Sequence, residues 1–285
     1  VERTANPATG DDAITIASFD FPESVLLAEI YAQALESEKF QVKRALNLGP
    51  RELVEPTLER GLVEFVPEYL GSALGFVTRG TAQASADVDT THRKLADALD
   101  SRGITVLEPA PAQDVNALAV TAQTAATYRL KTISDLAPVA PQLVFGGPPE
   151  CPSRPLCLPG LQRTYGLRFK RFQGLDAGGP YTSSGLASGQ IDVGLLFTTD
   201  WNIRKNGFVL LEDDRSLQPA ENVTPVVRDE IIAAYGARFT DVIDAVSAKL
   251  TTGELRELNR QVGLEGKPPA QVARTWLRSR DLLPS

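Results

Sequence analysis

The feature that most constrains the fold of this chain is an alternation of short β-rich runs with longer amphipathic segments. Ile14–Ser18 (ITIAS) is the first such run, and apolar residues then recur at helical spacing through about Ser37. The alternation continues with strands predicted at 41–46, 62–66 and 104–107 and helices predicted at 51–60, 67–76 and 91–101. This order is typical of βαβ units, which form a largely parallel sheet covered by helices. We therefore predict the α/β fold class, with ligands bound at the carboxyl ends of the strands.

A Pro-rich segment at 109–113 (PAPAQ) interrupts the first series, and a second series follows it. Its predicted elements are strands at 117–120, 142–145 and 191–196, helices near 122–128 and 158–165, a return strand at 223–227, and helices over 228–249, 252–263 and 269–279. The 285 residues also exceed the roughly 100 to 200 that are usual for one domain. We predict two lobes, built from 12–114 plus 221–285 and from 115–220, with two crossing segments and a flexible tether at 1–11.

The start of the first predicted helix has three residues typical of a helix N-terminus. Asp20 is predicted to cap it, Pro22 suits its first turn, and Glu23 can reach back to the cap.

Charge and hydropathy argue against nucleic-acid binding and against a membrane-spanning segment. The net charge of −7 and pI of about 5.0 do not provide the basic surface that nucleic-acid binding needs. No apolar run approaches the roughly 18 to 20 residues that cross a bilayer. The polar first residues (VERTANPATGDD) predict a tether, left by removal of a signal segment or set by the design of the expressed chain.

The sequence contains none of the common enzyme motifs. Its single histidine, His92, is predicted to lie in a solvated first helical turn, and no phosphate-binding loop, nucleophile elbow or dinucleotide-binding glycine motif is present. The glycines and prolines at 146–149 (GGPP) predict a rigid turn, and Asp213 and Asp214 predict a solvated acidic turn. We therefore predict no catalytic residue, no cofactor and no metal site.

The only two cysteines, Cys151 and Cys157, lie six residues apart in a Pro-rich loop. In an exported protein we expect them to form a local disulfide. Two free thiols are the alternative.

The order of several segments resembles the osmoprotectant-binding family of glycine betaine, carnitine, choline and proline importers. The segments are ITIASFDFPES (14–24), NLGPRELVEPTLERG (47–61), PEYLGSAL (67–74), DVNALAV (114–120), ISDLA (133–137), FGGPPE (145–150) followed by Arg154, LQRTYGL (161–167), SGLASGQIDVGLLFTTD (184–200) and ENVTPVVR (221–228). Of these, PEYLGS and IDVGLLFTTD are specific when found in this order.

The resemblance implies a two-lobed periplasmic-binding-protein fold of type II that clamps a small ligand in its cleft. A protein of this family delivers the ligand to an ABC permease powered by a cytoplasmic ATPase and performs no chemistry. The resemblance also implies an extracytoplasmic protein of the cell envelope, and we predict a monomer that is tethered to the membrane through a lipid anchor as a lipoprotein.

The family's site implies candidate ligand-binding residues at matching positions. Aromatic rings surround a quaternary ammonium, because such a cation has no hydrogen to donate and is held by ring quadrupoles. The tyrosine of the PEY motif is Tyr69, and the small hydroxyl residue three positions later is Ser72. The cation that clamps a carboxylate corresponds to Arg154, and the acid at the lobe crossing corresponds to Asp114.

Four further positions differ from the family's pattern. Asn116, Phe197 and Glu221 stand where aromatic residues occur in betaine binders, with Phe197 keeping an aromatic ring, and Phe19 stands where lysine or glutamine is frequent. Because amide and carboxylate groups offer directional hydrogen bonds that a quaternary ammonium cannot use, a hydroxylated or planar aromatic ligand such as a polyphenol is an alternative to betaine.

Two other functions use the same kind of two-lobed fold. A hydrolase or transferase would need acid and base carboxylates paired in the cleft, and a stand-alone ligand sensor would need only the binding site. A permease and an ATPase encoded beside this chain would favour import, and a regulator gene alone would favour sensing.

Overall fold

The computed structural model describes residues 13–82 and 84–283. The tether predicted at 1–11 lies outside these residues. In the described part of the chain, no helix is both long and apolar enough to cross a bilayer.

The strands form two separate five-stranded sheets. The first sheet has the order β2-β1-β3-β10-β4 and contains β1 (Ile14–Ala17), β2 (Val42–Ala45), β3 (Phe65–Tyr69), β4 (Ile104–Val106) and β10 (Val223–Arg228). The second has the order β7-β6-β8-β5-β9 and contains β5 (Asn116–Val120), β6 (Val144–Gly147), β7 (Arg171–Gly174), β8 (Val193–Phe197) and β9 (Val209–Leu210). In each sheet three strands are parallel neighbours, and β10 or β5 runs antiparallel to both strands beside it. The predicted α/β fold class is confirmed.

Helices connect the strands and form the C-terminal part of the chain. They are α1 (Pro22–Ser37), α2 (Arg51–Glu59), α3 (Leu70–Val77), α4 (Val88–Asp100), α5 (Ala122–Tyr128), α6 (Leu158–Tyr165), α7 (Pro180–Ser188), α8 (Asn202–Asn206), α9 (Asp229–Tyr235), α10 (Ala237–Lys249), α11 (Thr252–Gly263) and α12 (Pro269–Ser279), with short 3-10 turns at Ser134–Leu136 and Ala140–Gln142. The sequence analysis did not predict β7, β9, α7 or α8.

The core of the first sheet is organised around α1. Every residue from Glu23 to Leu35 in this helix is buried, because α10, α11 and α12 cover the faces that the sheet leaves open. Tyr31 is fully buried, and its hydroxyl lies 2.9 Å from the Ser247 hydroxyl of α10. The C-terminal helices therefore complete the lobe that the N-terminal strands begin.

The chain passes between the sheets at two adjacent places. Gln113 and Asn222 form an isolated antiparallel bridge, and the Asp114 backbone N–H donates to the Glu221 carbonyl at 3.1 Å. These contacts hold the two crossing segments side by side. The boundaries proposed for the lobes, after residues 114 and 220, stay a prediction.

Two strands extend beyond their predicted ends. The helix predicted from Pro67 begins only at Leu70, since β3 continues through Tyr69, where Pro67 lies opposite Pro225 of β10. Neither proline has a backbone N–H to donate, so the two residues exchange no ladder hydrogen bond with each other. The rigid turn predicted at 146–149 begins after Gly147, because both glycines belong to β6.

Four local predictions are wrong for identifiable reasons. Phe21, rather than Asp20, is the N-cap of α1, and Glu23 turns away from the helix start into the protein interior. His92 is half-buried, and its Nε2 lies 3.0 Å from the Leu107 carbonyl oxygen. The helix predicted over 228–249 is interrupted at Gly236, whose φ of 54° is a conformation that L side chains rarely adopt.

The acidic turn predicted at Asp213 and Asp214 is an ordered structure. Asp213 accepts hydrogen bonds from the backbone N–H groups of Leu217 at 3.0 Å and Gln218 at 2.7 Å, and also from the Tyr165 hydroxyl. Its carboxylate therefore organises the segment that leads back to the first lobe.

Cys151 and Cys157 form the expected disulfide, with their Cα atoms 5.2 Å apart. Both cysteines are buried, and the loop that they close carries Arg154. The disulfide thus fixes this loop at the start of α6.

Thiol titration of the denatured protein without reductant should find no free thiol, and titration after reduction should find both. Reduction should lower the free energy of unfolding by about 2 kcal/mol, because a short closed loop removes little entropy from the unfolded chain. Denaturation curves with and without reductant measure this difference. Two titratable thiols in the unreduced protein would contradict the pairing.

Candidate functional site

A cavity of about 110 Å³ lies where the two sheets face each other. Its lining comes from the carboxyl ends of β1, β2, β3, β6, β7 and β8 or the segments that follow them, and from Asp114 and Asn116 at the start of β5. Parallel strands direct their carboxyl ends to the same edge of a sheet, so residues distant in sequence meet there. The position agrees with the prediction from the βαβ pattern, and the volume restricts any ligand to a small molecule.

Four aromatic rings form one wall of the cavity. The Phe21 ring is central, with its centroid 5.9 Å from that of Phe19, 6.0 Å from that of Tyr69 and 5.6 Å from that of Phe197. Phe197 fits closely against Gly178, where a Cβ atom would lie 2.6 Å from the ring. The wall therefore combines residues of both lobes.

Tyr69 is held at both ends by glutamates. Its hydroxyl donates to Glu23 Oε1 at 2.7 Å, and its backbone N–H donates to Glu68 Oε2 at 2.7 Å. Burial raises the pKa of the Tyr69 phenol well above its ordinary value, and the nearby carboxylates of Glu23 and Asp114 raise it further. The ring therefore stays neutral and fixed in orientation.

Beneath the wall, one hydroxyl joins two buried carboxyl groups. Thr199 Oγ1 lies 2.5 Å from Glu23 Oε2 and 2.7 Å from Asp114 Oδ1. A hydroxyl has one proton to donate, so its short contact with the second oxygen requires a proton from that carboxyl group. Burial raises the pKa of both groups, and the charge of Glu23 further raises that of Asp114. Asn259 of α11 also donates to Glu23 Oε2.

Ser72 and Glu221, both predicted to bind ligand, contact each other. The Ser72 backbone N–H donates to Glu221 Oε2 at 3.0 Å, and its hydroxyl donates to Oε1 at 2.7 Å. Ser72 lines the cavity, whereas Glu221 is only 1% exposed and lies behind it. Burial raises the pKa of Glu221 to about 7. In this structure Glu221 acts on the cavity by positioning Ser72.

Arg154 and Asn116 both line the cavity and already bond to other side chains of the protein. The Arg154 Nε and Nη2 atoms donate to the two Glu52 carboxylate oxygens at 3.2 and 2.8 Å, which connects the disulfide loop of one lobe to α2 of the other. Asn116 Nδ2 donates to Gln218 Oε1 at 3.1 Å. Two donors of Arg154 are thus already used by a carboxylate of the protein.

The structure also places residues in the site that the sequence analysis did not identify. Phe21 and Arg51 line the cavity, while Glu23, Thr199 and Asn259 form the hydrogen-bonded cluster beneath it. The sequence signal for Phe21 was its place between a strand and Pro22, where the chain leaves the sheet at a carboxyl end. Arg51 follows Gly49-Pro50 at the start of a helix, a further signal of a loop at that edge.

Most of the predicted ligand-binding residues come together. Those that line the cavity are Phe19, Tyr69, Ser72, Asp114, Asn116, Arg154 and Phe197. Glu221 is separated from the cavity by Ser72. Contact of any of them with a ligand stays a prediction. Across residues 13–82 and 84–283, no group of three or more His, Cys, Asp or Glu side chains is arranged to hold a metal ion.

Comparison with known proteins places these features in a family. Residues 12–279 match the family model described as the substrate-binding domain of the ABC-type glycine betaine transport system. The glycine-betaine-binding protein of Pseudomonas aeruginosa is 29% identical over 283 residues, which are 95% of this chain and 89% of that protein. A Helicobacter pylori ergothioneine transport permease/ergothioneine binding protein is 26% identical over 95% of this chain, which spans about half (48%) of that longer protein.

Solved structures share the fold. One described as a glycine betaine/carnitine/choline ABC transporter has a TM-score of 0.74 at 22% identity, with 94% of this chain and 99% of that chain covered. A choline-binding protein in complex with choline has a TM-score of 0.71 at 13% identity, with 95% and 89% covered. At these identities the likeness concerns the fold, and it confirms the predicted two-lobed architecture.

The carboxyl cluster predicts how stability depends on pH. Asp114 has a raised pKa in the folded protein, so the folded state binds a proton that the unfolded state releases near pH 4. Its contribution to stability is therefore complete below that pH and is lost as the pH rises through the folded pKa. Asp114→Asn should gain stability relative to the unsubstituted protein as the pH rises above about 4.

Asp135→Asn is a matched control of opposite sign. The Asp135 carboxylate accepts backbone N–H bonds from Lys131 and Thr132, and these bonds lower its pKa. This variant should lose stability relative to the unsubstituted protein as the pH rises toward about 4, and the difference should then stay constant at higher pH. Urea denaturation at several pH values measures the free energy of unfolding of each variant relative to the unsubstituted protein. A difference for Asp114→Asn that did not change with pH would contradict the raised pKa of Asp114.

Proposed function

The chain belongs to the family of substrate-binding domains of ABC-type glycine betaine transport systems, and we propose that it captures a small ligand between its two sheets and delivers it to a membrane permease. The observation that carries this proposal is the cavity, whose aromatic wall and polar groups come from both lobes. Two crossing segments are the hinge expected of a clamp that opens to admit a ligand and closes on it.

Polar contacts join the two lobes around the cavity. Glu52 binds Arg154 at the mouth of the cavity, and Glu23 binds Thr199 at its base. Trp201 also packs against Gly263 of α11, where a Cβ atom would overlap the indole. These contacts lie on different sides of the cavity, so closure would surround a ligand with protein.

The aromatic wall favours two classes of ligand. A quaternary ammonium interacts with the faces of aromatic rings, with roughly 0.5 to 2 kcal/mol from each ring. A planar hydroxylated compound such as a polyphenol would stack on the same rings and use the polar groups of Ser72 and Asn116. The relatives are named for glycine betaine and ergothioneine, and we propose a ligand that combines a cationic or aromatic body with polar substituents.

The proposal also concerns partners and location. The relatives named above are transport proteins, and we propose that this chain likewise performs no chemistry of its own. It would work as a monomer outside the cytoplasm, on a lipid anchor, and would transfer its ligand to a permease driven by an ATPase.

Isothermal titration calorimetry against glycine betaine, choline, carnitine, ergothioneine and 3,4-dihydroxybenzoate tests the proposal. At least one compound should bind and raise the melting temperature. Phe21→Ala and Tyr69→Ala should each weaken binding about 2- to 30-fold, because each removes one ring from the wall.

Tyr181→Ala is the matched control. This tyrosine lies on α7, is 72% exposed and does not line the cavity, so its loss should leave affinity unchanged. Equal losses of affinity in all three variants would refute the assignment of the wall. Conversion of a bound compound, followed by nuclear magnetic resonance, would refute a role without chemistry.

A further inference from the structure

A buried arginine faces the cavity next to its aromatic wall. Arg51 is 7% exposed and lines the cavity, and its guanidinium carbon lies 5.0 Å from the centroid of the Phe19 ring. It begins α2, so it also lies at the positive end of that helix dipole. A buried guanidinium requires hydrogen-bond acceptors for its donors.

Only part of the donor capacity of Arg51 is used within the protein. Its Nε donates to Glu68 Oε1 and its Nη2 to Glu68 Oε2, both at 2.7 Å. Among the described residues, Nη1 has no hydrogen-bond partner, and this atom is not fully buried. Because Arg51 lines the cavity, we infer that this free edge of the guanidinium is open to it.

The other acids near Arg51 do not use this edge. Glu55 has a pKa well above its ordinary value, because it is buried beside Glu68. Glu221 is occupied by the Ser72 backbone and hydroxyl groups. Glu68 thus neutralises Arg51 through Nε and Nη2 and fixes the plane of the guanidinium group. The Nη1 donors stay available for a ligand.

We propose that Arg51 binds an anionic group of the ligand, a carboxylate, and thereby makes this cavity selective for carboxylate-bearing compounds. The proposal rests on the function proposed above and adds a specificity residue to it. A ligand whose body lies on Phe19 and Phe21 would bring its carboxylate to the adjacent guanidinium.

Arg154 uses the same two donor atoms on a protein carboxylate, but it differs from Arg51 in burial. Its side chain is 28% exposed at the mouth of the cavity, and its Nε and Nη2 already bind Glu52 of the opposite lobe. It therefore closes the cleft whatever the ligand is, whereas Arg51 is deep enough to discriminate between ligands. A charge-assisted hydrogen bond in a dry site is strong and directional.

Two pairs of probes that differ mainly in one group test the proposal. Glycine betaine carries a carboxylate where choline carries a hydroxymethyl group, and 3,4-dihydroxybenzoate differs in the same way from 3,4-dihydroxybenzyl alcohol. In calorimetry with the unsubstituted protein, the carboxylate member of any pair that binds should have a Kd at least about 10-fold lower than the alcohol member.

Three variants then examine Arg51 itself. Arg51→Gln leaves Glu68 as an unpaired buried carboxylate, so the double variant Arg51→Gln/Glu68→Gln is measured beside it to preserve the fold. In both, the preference for the carboxylate member should disappear, while the alcohol member loses much less affinity. Arg51→Lys, which keeps the charge but not the planar fork, should retain part of the preference.

Arg44→Gln is the matched control, since Arg44 also forks onto glutamates of the first lobe but does not line the cavity. It should leave every Kd unchanged. Equal losses for both members of a pair in the Arg51 variants would indicate a purely structural ion pair and overturn the proposal. So would equal affinities in the unsubstituted protein. Failure of all four probes to bind the folded protein would overturn the proposed ligand class as well.

Discussion

The rest of the structure depends on how one buried carboxyl group, that of Glu23, is satisfied. Burying a carboxyl group without partners is costly, and Glu23 avoids this cost through donors from three separate parts of the chain. They are Tyr69 at the end of β3, Thr199 after β8, and Asn259 on α11. The same hydrogen bonds therefore orient a ring of the cavity wall and join the second lobe to the first.

The cavity sits among opposite charges that are paired before any ligand arrives. Glu68 holds Arg51, and Glu52 holds Arg154 across the mouth. In a chain with a net charge of −7, these two arginines supply local positive groups at a cavity that also contains Asp114. A ligand with both a cationic or aromatic body and a carboxylate would find complementary partners on different walls.

Close approach of backbone segments is a second constraint on the site. Gly71, near the start of α3, faces Pro219 and the Ala220 carbonyl oxygen, where a Cβ atom would overlap both. This contact brings the second crossing segment against α3 and places Glu221 within reach of Ser72. Gly178 allows the Phe197 ring to take its place in the wall. Small residues thus determine where the polar and aromatic groups of the cavity lie.

The sequence by itself determined the βαβ order, the two lobes, and the candidate residues Tyr69, Ser72 and Phe197, because hydrophobic periodicity and family motifs are local in the chain. It did not reveal Phe21, Arg51 or the partners of Glu23, although FDFP and GPR mark loops that leave the first sheet. It placed Glu221 in the cavity, whereas the fold places Ser72 in front of it. Only the tertiary structure decided these points, since burial and hydrogen bonding depend on residues that are more than a hundred positions apart, such as Glu23 and Thr199.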